Sequence, residues 1–239
     1  MLIRLEGVTK RFGALTVADG LDIGLAEGEA LGVLGPNGAG KSTMFNLITG
    51  GLRPDSGRIW FDGRDITGLS PHRRCRMGIG RSYQIPHPFA KMTVFENLLV
   101  AAAFGTGEPE RALHGHCGSV LERTGLLAKA NLPAGRLTLL ERKRLELARA
   151  LATRPRALLL DEIAGGLTEA ECHELVVTIA AIRGEGVSII WIEHVVHALL
   201  SVVDRLVVIN FGQLLAEGAP KQVMADPKVR EVYMGISAE

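Results

Sequence analysis

The chain has 239 residues, enough for one large domain, or one domain with a small inserted subdomain, around a proper core. Apolar residues make up 47% and charged residues 22%, a soluble globular balance, and a formal net charge of +1 argues against general nucleic-acid binding. The three cysteines, Cys75, Cys117 and Cys172, are scattered and odd in number, which fits free thiols in a reducing compartment and argues against a disulfide frame or a zinc site.

Residues 2–34 alternate short β-rich runs with Gly-containing turns and predict several strands, the last at Ala30–Leu34. "GPNGAGKSTMFNLITG" predicts a Gly-rich turn and a short helix ending at Gly50. "GRIWFDGRDI" predicts a hairpin. Residues 85–136 change character. "MTVFENLLVAAAF" opens with Thr93 and Glu96 at capping-box spacing before an amphipathic helix. "GTGEPE" breaks that helix, and a second is predicted from Arg111 to Arg123, making a small helical subdomain. A further helix leads to an apolar strand, Ala157–Leu160. "ECHELVVTIAAIRGEG" predicts a helix, "VSIIWIEH" a buried strand, "RLVVINFGQLLAEG" a hairpin, and residues 221–239 a helical tail. Alternating strands and helices indicate an α/β core with a parallel sheet, carrying an antiparallel N-terminal sheet. No apolar run approaches the ~18 residues of a membrane span. "MLIRLEGVTK" lacks the apolar centre of a signal peptide. The expected place is the cytoplasm, with any membrane role exerted through a partner.

Gly35-Pro36-Asn37-Gly38-Ala39-Gly40-Lys41-Ser42 matches the phosphate-binding pattern G-x-x-x-x-G-K-[ST] at every position, after a predicted strand and before a predicted helix. Glycines let backbone N–H groups converge on phosphate oxygens, and the following helix, entered through Lys41, Ser42 and Thr43, presents its positive end. Lys41 suits the β- and γ-phosphates, and the Ser42 hydroxyl suits Mg²⁺. Downstream, "ALLLDE" reads as a buried strand with Asp161 at its carboxyl end, where ligands bind in open α/β sheets. Asp161 can hold the metal through water, and Glu162 can polarise the attacking water.

With these motifs the chain resembles the ATP-binding subunits of ABC transporters over essentially its whole length. The carrying residues are the phosphate loop, Gln84 in "RSYQ", "RKRLELARALATRPRALLLDE", and His194 in "IIWIEH". The resemblance implies a P-loop NTPase core (1–84 and 137–239), the helical subdomain at 85–136 and a tail from 221. It implies that Gln84 contacts Mg²⁺ and the attacking water. His194, 32 residues after Glu162, is implied to touch the γ-phosphate, and Phe12 to stack on adenine. Finer wording, "RSYQIPHPFAKMTVFENLLVAA" and "VMADPKVREVYMG", is similar to the branched-chain amino acid uptake group. Urea, amide and aromatic-acid transporters use similar ATPases, and lipopolysaccharide-export ATPases are close relatives. Expected partners are a second ABC ATPase, as a heterodimer or a homodimer, two transmembrane permeases, and indirectly a periplasmic solute-binding protein. That places the chain on the inner face of the cell membrane.

One segment departs from the family. Where L-S-G-G-Q is usual, this chain has Leu137-Thr138-Leu139-Leu140-Glu141. In the family this segment binds the γ-phosphate of the ATP held by the other subunit. T-x-x-E is still a capping box, so a capped helix end and the Thr138 hydroxyl are expected to remain. Leu139 and Leu140 are expected to hinder the backbone approach that glycines allow, and Glu141 to add a negative charge. "GGLT" at Gly165–Thr168 also replaces S-A-L-D, and Ile163 the usual proline. The readings are therefore a transport ATPase, or a nucleotide-gated subunit with weak hydrolysis. A translation or DNA-repair cassette usually carries a second cassette or a long coiled coil, and neither is seen here.

Overall fold

The computed structural model describes residues 1–234. Two sheets form its frame. The first is antiparallel, with order β2-β1-β4-β5, from β1 (Ile3–Phe12), β2 (Leu15–Leu25), β4 (Ser56–Phe61) and β5 (Arg64–Asp65). The second has order β10-β9-β3-β8-β7-β6. It comprises β3 (Ala30–Leu34), β6 (Ile79–Arg81), β7 (Ala157–Asp161), β8 (Ser188–Ile192), β9 (Arg205–Asn210) and β10 (Gln213–Gly218). β6, β7, β8, β3 and β9 run parallel, and only β10 is antiparallel to its neighbour.

The parallel strands are buried on both faces. Every residue of β3, β7 and β8 is buried, as the nearly continuous apolar runs of parallel sheets require. The pleat divides them between two cores. Leu158, Leu160, Ile189 and Trp191 face the helices α3 (Val94–Thr106), α4 (Glu110–Arg123), α5 (Leu139–Ala152) and α6 (Glu169–Gly184). Leu159, Ile190, Ile192 and Val207 face α1 (Lys41–Thr49) and the antiparallel sheet.

Both expected hairpins form, as β4–β5 and β9–β10. Thr93 and Glu96 close the expected capping box of α3, and Gly107 in the left-handed conformation ends it. Some elements differ from expectation. α6 begins two residues early because Thr168 and Glu171 form another capping box. The tail is two helices, α8 (Pro220–Ala225) and α9 (Pro227–Met234), because Pro227 forces Asp226 into extended backbone. Residues 235–239 of the expected tail lie outside the described residues. The short elements α2 (Pro71–Arg76), β6 and α7 (Val196–Leu200) are too brief to show a period.

α2 matters through Arg74, which is 1% exposed. Its guanidinium donates to the carbonyls of Leu47 (2.6 Å), Ile48 (2.9 Å), Leu69 (3.0 Å) and Thr67 (3.0 Å). It thereby satisfies the carboxyl end of α1, the helix that follows the phosphate loop. Burial among carbonyls pushes its pKa down to about 10. Removing it leaves several buried carbonyls without a donor, at about 1–3 kcal/mol each. Arg74→Ala should therefore destabilise the fold by about 3 kcal/mol or more, read as a lower urea midpoint. An unchanged midpoint would show that water replaces the guanidinium without cost.

Candidate functional site

The parallel strands β3, β6, β7 and β8 deliver the predicted residues to one edge. The phosphate loop follows β3, Gln84 follows β6, Asp161 ends β7 with Glu162 next, and His194 follows β8. All leave from carboxyl ends, the place where open α/β sheets bind ligands.

In the phosphate loop, Gly35 and Gly40 are sterically required. A Cβ on Gly35 would lie 2.2 Å from the Ile209 carbonyl oxygen, and one on Gly40 would lie 2.3 Å from that of Val17. Gly40 has φ 104, a conformation that disfavours side chains, and serves as N-cap of α1 without any side-chain cap. The first N–H groups of α1 are thus left for an external acceptor. No acidic residue stands in that first turn to repel an anion. Asn37, Gly38 and Ser42 are exposed, Pro36, Gly40 and Thr43 partly so, and Gly35 and Ala39 are buried. Lys41 is 6% exposed and turns back on its own loop, donating to Gly35 O at 2.7 Å and Pro36 O at 3.0 Å. Burial lowers its pKa, and the carboxylates of Glu162 and Asp161 oppose that shift. A cation so placed gains from a new anion.

Glu162 is bracketed. Gln84 Nε2 donates to its Oε2, and His194 Nε2 lies 2.9 Å from its Oε1. Its φ is 45, a left-handed value costly for a residue with a Cβ. Its N–H donates to Ile192 O at 2.8 Å, which ties it to β8.

The structure adds residues that sequence reasoning passed over. Arg81, at the end of β6, donates to Asp161 Oδ2 at 2.7 Å and to Asn46 Oδ1 at 2.6 Å. The expected metal carboxylate therefore sits in a largely buried ion pair. Arg81 stands within the quoted "RSYQ", but a single arginine carries no spacing signal. Glu193, 1% exposed, accepts from the N–H groups of Ala164 and His194, both at 3.0 Å. Lys143, 4% exposed, reaches the same site from α5.

Phe12 lies at the tip of the β1–β2 hairpin, paired with Leu15 and 50% exposed. Val17 of the same hairpin abuts Gly40, so the hairpin borders the phosphate loop. The Lys10 ammonium stands 5.6 Å from the Phe12 ring centre. Beside Val17, Gly212 donates to Ala39 O at 3.0 Å, and the neighbouring Phe211 is 84% exposed.

At α5 the expectations need correction in one respect. Thr138 is the N-cap, and the capping box with Glu141 is complete. The two leucines do not act alike. Leu140 is 8% exposed and turned into the core, while Leu139 is 45% exposed. Successive helical residues point about 100° apart, so only one side of this end can face the core. Leu139 alone stands at the open helix end, next to Gly166. Glu141 is ion-paired with Lys129, which offsets its charge.

Among the described residues, no helix is long and apolar enough to cross a membrane. A family profile described as ABC transporter matches residues 18–165, and one described as branched-chain amino acid ATP-binding cassette transporter matches 213–239. The chain is 39% identical to a high-affinity branched-chain amino acid transport ATP-binding protein, BraF, of Pseudomonas aeruginosa, covering 98% of each. It is 37% identical to the corresponding LivG protein of Escherichia coli, again over 98% of each. Among solved structures, the ADP conformation of an ATP-binding cassette of an ABC transporter superposes with TM-score 0.90 at 33% identity, covering 98% of this chain and 99% of that one. A nucleotide-free cassette of an ABC transporter matches with the same values. A phosphate loop, a strand-end Asp–Glu pair and a histidine converging on one sheet edge, in a chain matched along its whole length, make this protein a member of the ABC transporter family, as an ATP-binding and ATP-hydrolysing subunit.

Proposed function

We propose that this subunit hydrolyses ATP with its own Lys41, Ser42, Gln84, Asp161, Glu162 and His194, and powers uptake of branched-chain amino acids or a related small solute. The observation that carries the chemistry is the convergence of these side chains at the carboxyl ends of four parallel strands. The solute reading rests on the names of the relatives and on the tail match at 213–239.

In this mechanism the α1 N–H groups and the loop from Gly35 to Thr43 bind the phosphates. Lys41 leaves the Gly35 and Pro36 carbonyls for phosphate oxygens, exchanging neutral acceptors for charged ones. Phe12 stacks on the base. Magnesium, when bound, supplies charge neutralisation on the β- and γ-phosphates. Ser42, Gln84 and the Asp161 oxygen not taken by Arg81 are the residues to hold it. Glu162 accepts the proton of the attacking water, and His194 and Gln84 fix its two oxygens in place.

The partners proposed are a second ABC ATPase and two permeases, fed by a periplasmic solute-binding protein, with this chain on the inner face of the membrane. Residues 85–136 act as the helical subdomain between the two parts of the core. The permease contact is assigned to Tyr83–Phe89. Tyr83, Ile85 and Phe89 are large, apolar-surfaced and exposed at 54%, 64% and 48%. Pro86 and Pro88 stiffen the segment, which begins next to Gln84.

The test is uptake of labelled leucine by the reconstituted transporter with its binding protein. Wild type should take up leucine with ATP, and Phe89→Asp should lose most of that uptake while ATP turnover persists. Normal uptake by an assembled Phe89→Asp transporter would remove the docking assignment. Uptake of urea but not leucine would remove the branched-chain part of the assignment.

A further inference from the structure

α5 carries a row of charged residues, "ERKR", that reads as a solvated helix face. Lys143 does not belong to such a face. It is three residues after Leu140 and four before Leu147, both buried, so the helical period puts it on the apolar stripe. Its ammonium donates to Gln84 O at 2.7 Å and to Glu162 O at 3.3 Å. Thus one buried cation holds the main chain of two of the residues assigned to hydrolysis.

Two neighbours on α5 extend the attachment. Arg149 donates to His87 O at 3.2 Å and is itself held by Glu146, 5% exposed, at 2.9 Å. Positions 143, 146 and 149 recur every three residues, so they share one side of the helix. Lys143 and Arg149 thus fasten residues 84–87 to α5 along about two turns. Glu193 works from the other side, holding the N–H groups of Ala164 and His194. Burial lowers the pKa of Lys143, and the carboxylates of Glu193, Glu162, Glu146 and Asp161 oppose that shift only in part.

A lysine used only for packing is an expensive choice, since an apolar residue of the same length avoids desolvation. The turn at Glu162 also needs holding. Its left-handed φ of 45 persists only where surrounding bonds over-determine it. Its N–H is held by β8 and its C=O by Lys143.

We propose that Lys143 is a positioning residue for hydrolysis: from inside α5 it fixes the Gln84 and Glu162 main chain, and so sets where the Glu162 carboxylate stands. This rests on the assignment of Glu162 as proton acceptor. The Lys143 ammonium acts through the Gln84 and Glu162 carbonyls.

The experiment uses the reconstituted transporter with four forms of this chain: Lys143→Met, Lys143→Arg, Glu162→Gln, and Lys143→Met with Glu162→Gln. Methionine keeps the unbranched shape and removes the donors, so folding should survive. A shift of about 1 Å at a reacting group costs on the order of a hundredfold. Lys143→Met should lower kcat about 10- to 100-fold, with KM for MgATP within about threefold. Lys143→Arg, which keeps the donors, should recover most of the loss. The double variant should be no slower than Glu162→Gln alone, because Lys143 acts through Glu162. A kcat for Lys143→Met within threefold of wild type overturns the proposal. So does a loss that adds in full to that of Glu162→Gln, or a lower unfolding midpoint with turnover per folded molecule unchanged. If Glu162→Gln itself stays within a few-fold of wild type, the Glu162 assignment falls and takes this proposal with it.

Discussion

Glu162→Gln stops steady-state turnover, to below about one hundredth of wild type, while ATP binding survives. The amide keeps the shape of the side chain but accepts no proton, and positioned general bases contribute about 10²–10⁴-fold. The surroundings favour a clean outcome. Glu162 is held at one oxygen by Gln84 and at the other by His194, so an amide at this position retains at least one of these bonds. Its strained backbone is fixed by main-chain bonds that the substitution does not touch. The measurement is phosphate release by the reconstituted transporter together with nucleotide affinity of the variant chain. Turnover within a few-fold of wild type would mean that another group takes the proton.

Lys41→Ala weakens MgATP binding about 10- to 150-fold. A hydrogen bond to a charged group contributes about 1.5–3 kcal/mol, and 1.4 kcal/mol is about tenfold in affinity. The loop is otherwise neutral at this place, built from backbone N–H donors without an acidic side chain in the first turn of α1. In the free protein the ammonium is held by Gly35 and Pro36 carbonyls. Alanine frees both acceptors to water, so part of the loss is offset, and the expected effect is finite. Calorimetry on the purified chain reads it directly. Unchanged affinity would count decisively against this phosphate site.

How far the site was legible depended on what each residue signals locally. The phosphate loop is contiguous, with glycines at fixed offsets, and the structure gives the steric reason for two of them at Gly35 and Gly40. Asp161 follows four apolar residues, so its position at a strand end could be read from the strand alone. Gln84 and His194 have no such pattern. They were reachable only through resemblance, and the structure brings both to the Glu162 carboxylate. Arg81, Lys143 and Glu193 act on residues 80, 19 and 29 positions away, through Asp161, Glu162 and Ala164. Nothing local marks a charged side chain as buried, except the helical period around Lys143. The same limit explains Leu140. Side by side in sequence, Leu139 and Leu140 look equally obstructive, yet one faces the core and the other the open helix end. Short elements were hidden for a different reason. α2 and β6 have 6 and 3 residues, too few for either period to repeat, although α2 carries the arginine that closes α1.

The correction at Leu140 sharpens the reading of the Leu137–Glu141 segment. The capped helix end and the Thr138 hydroxyl are present, Glu141 is ion-paired with Lys129, and of the two leucines only Leu139 is exposed there. A composite site using this segment should be slower than one using this chain's own phosphate loop and Glu162, without being inactive. Losing one charged hydrogen bond there corresponds to about 10- to 150-fold.

The direct measurement is ATP turnover by the reconstituted transporter after replacing Glu162 of this chain and the matching glutamate of the proposed second ATPase in turn. The account predicts that Glu162→Gln in this chain removes most of the turnover, and that the matching change in the partner chain removes only a minor part. Equal losses from the two replacements, or a larger loss from the partner's, would contradict it.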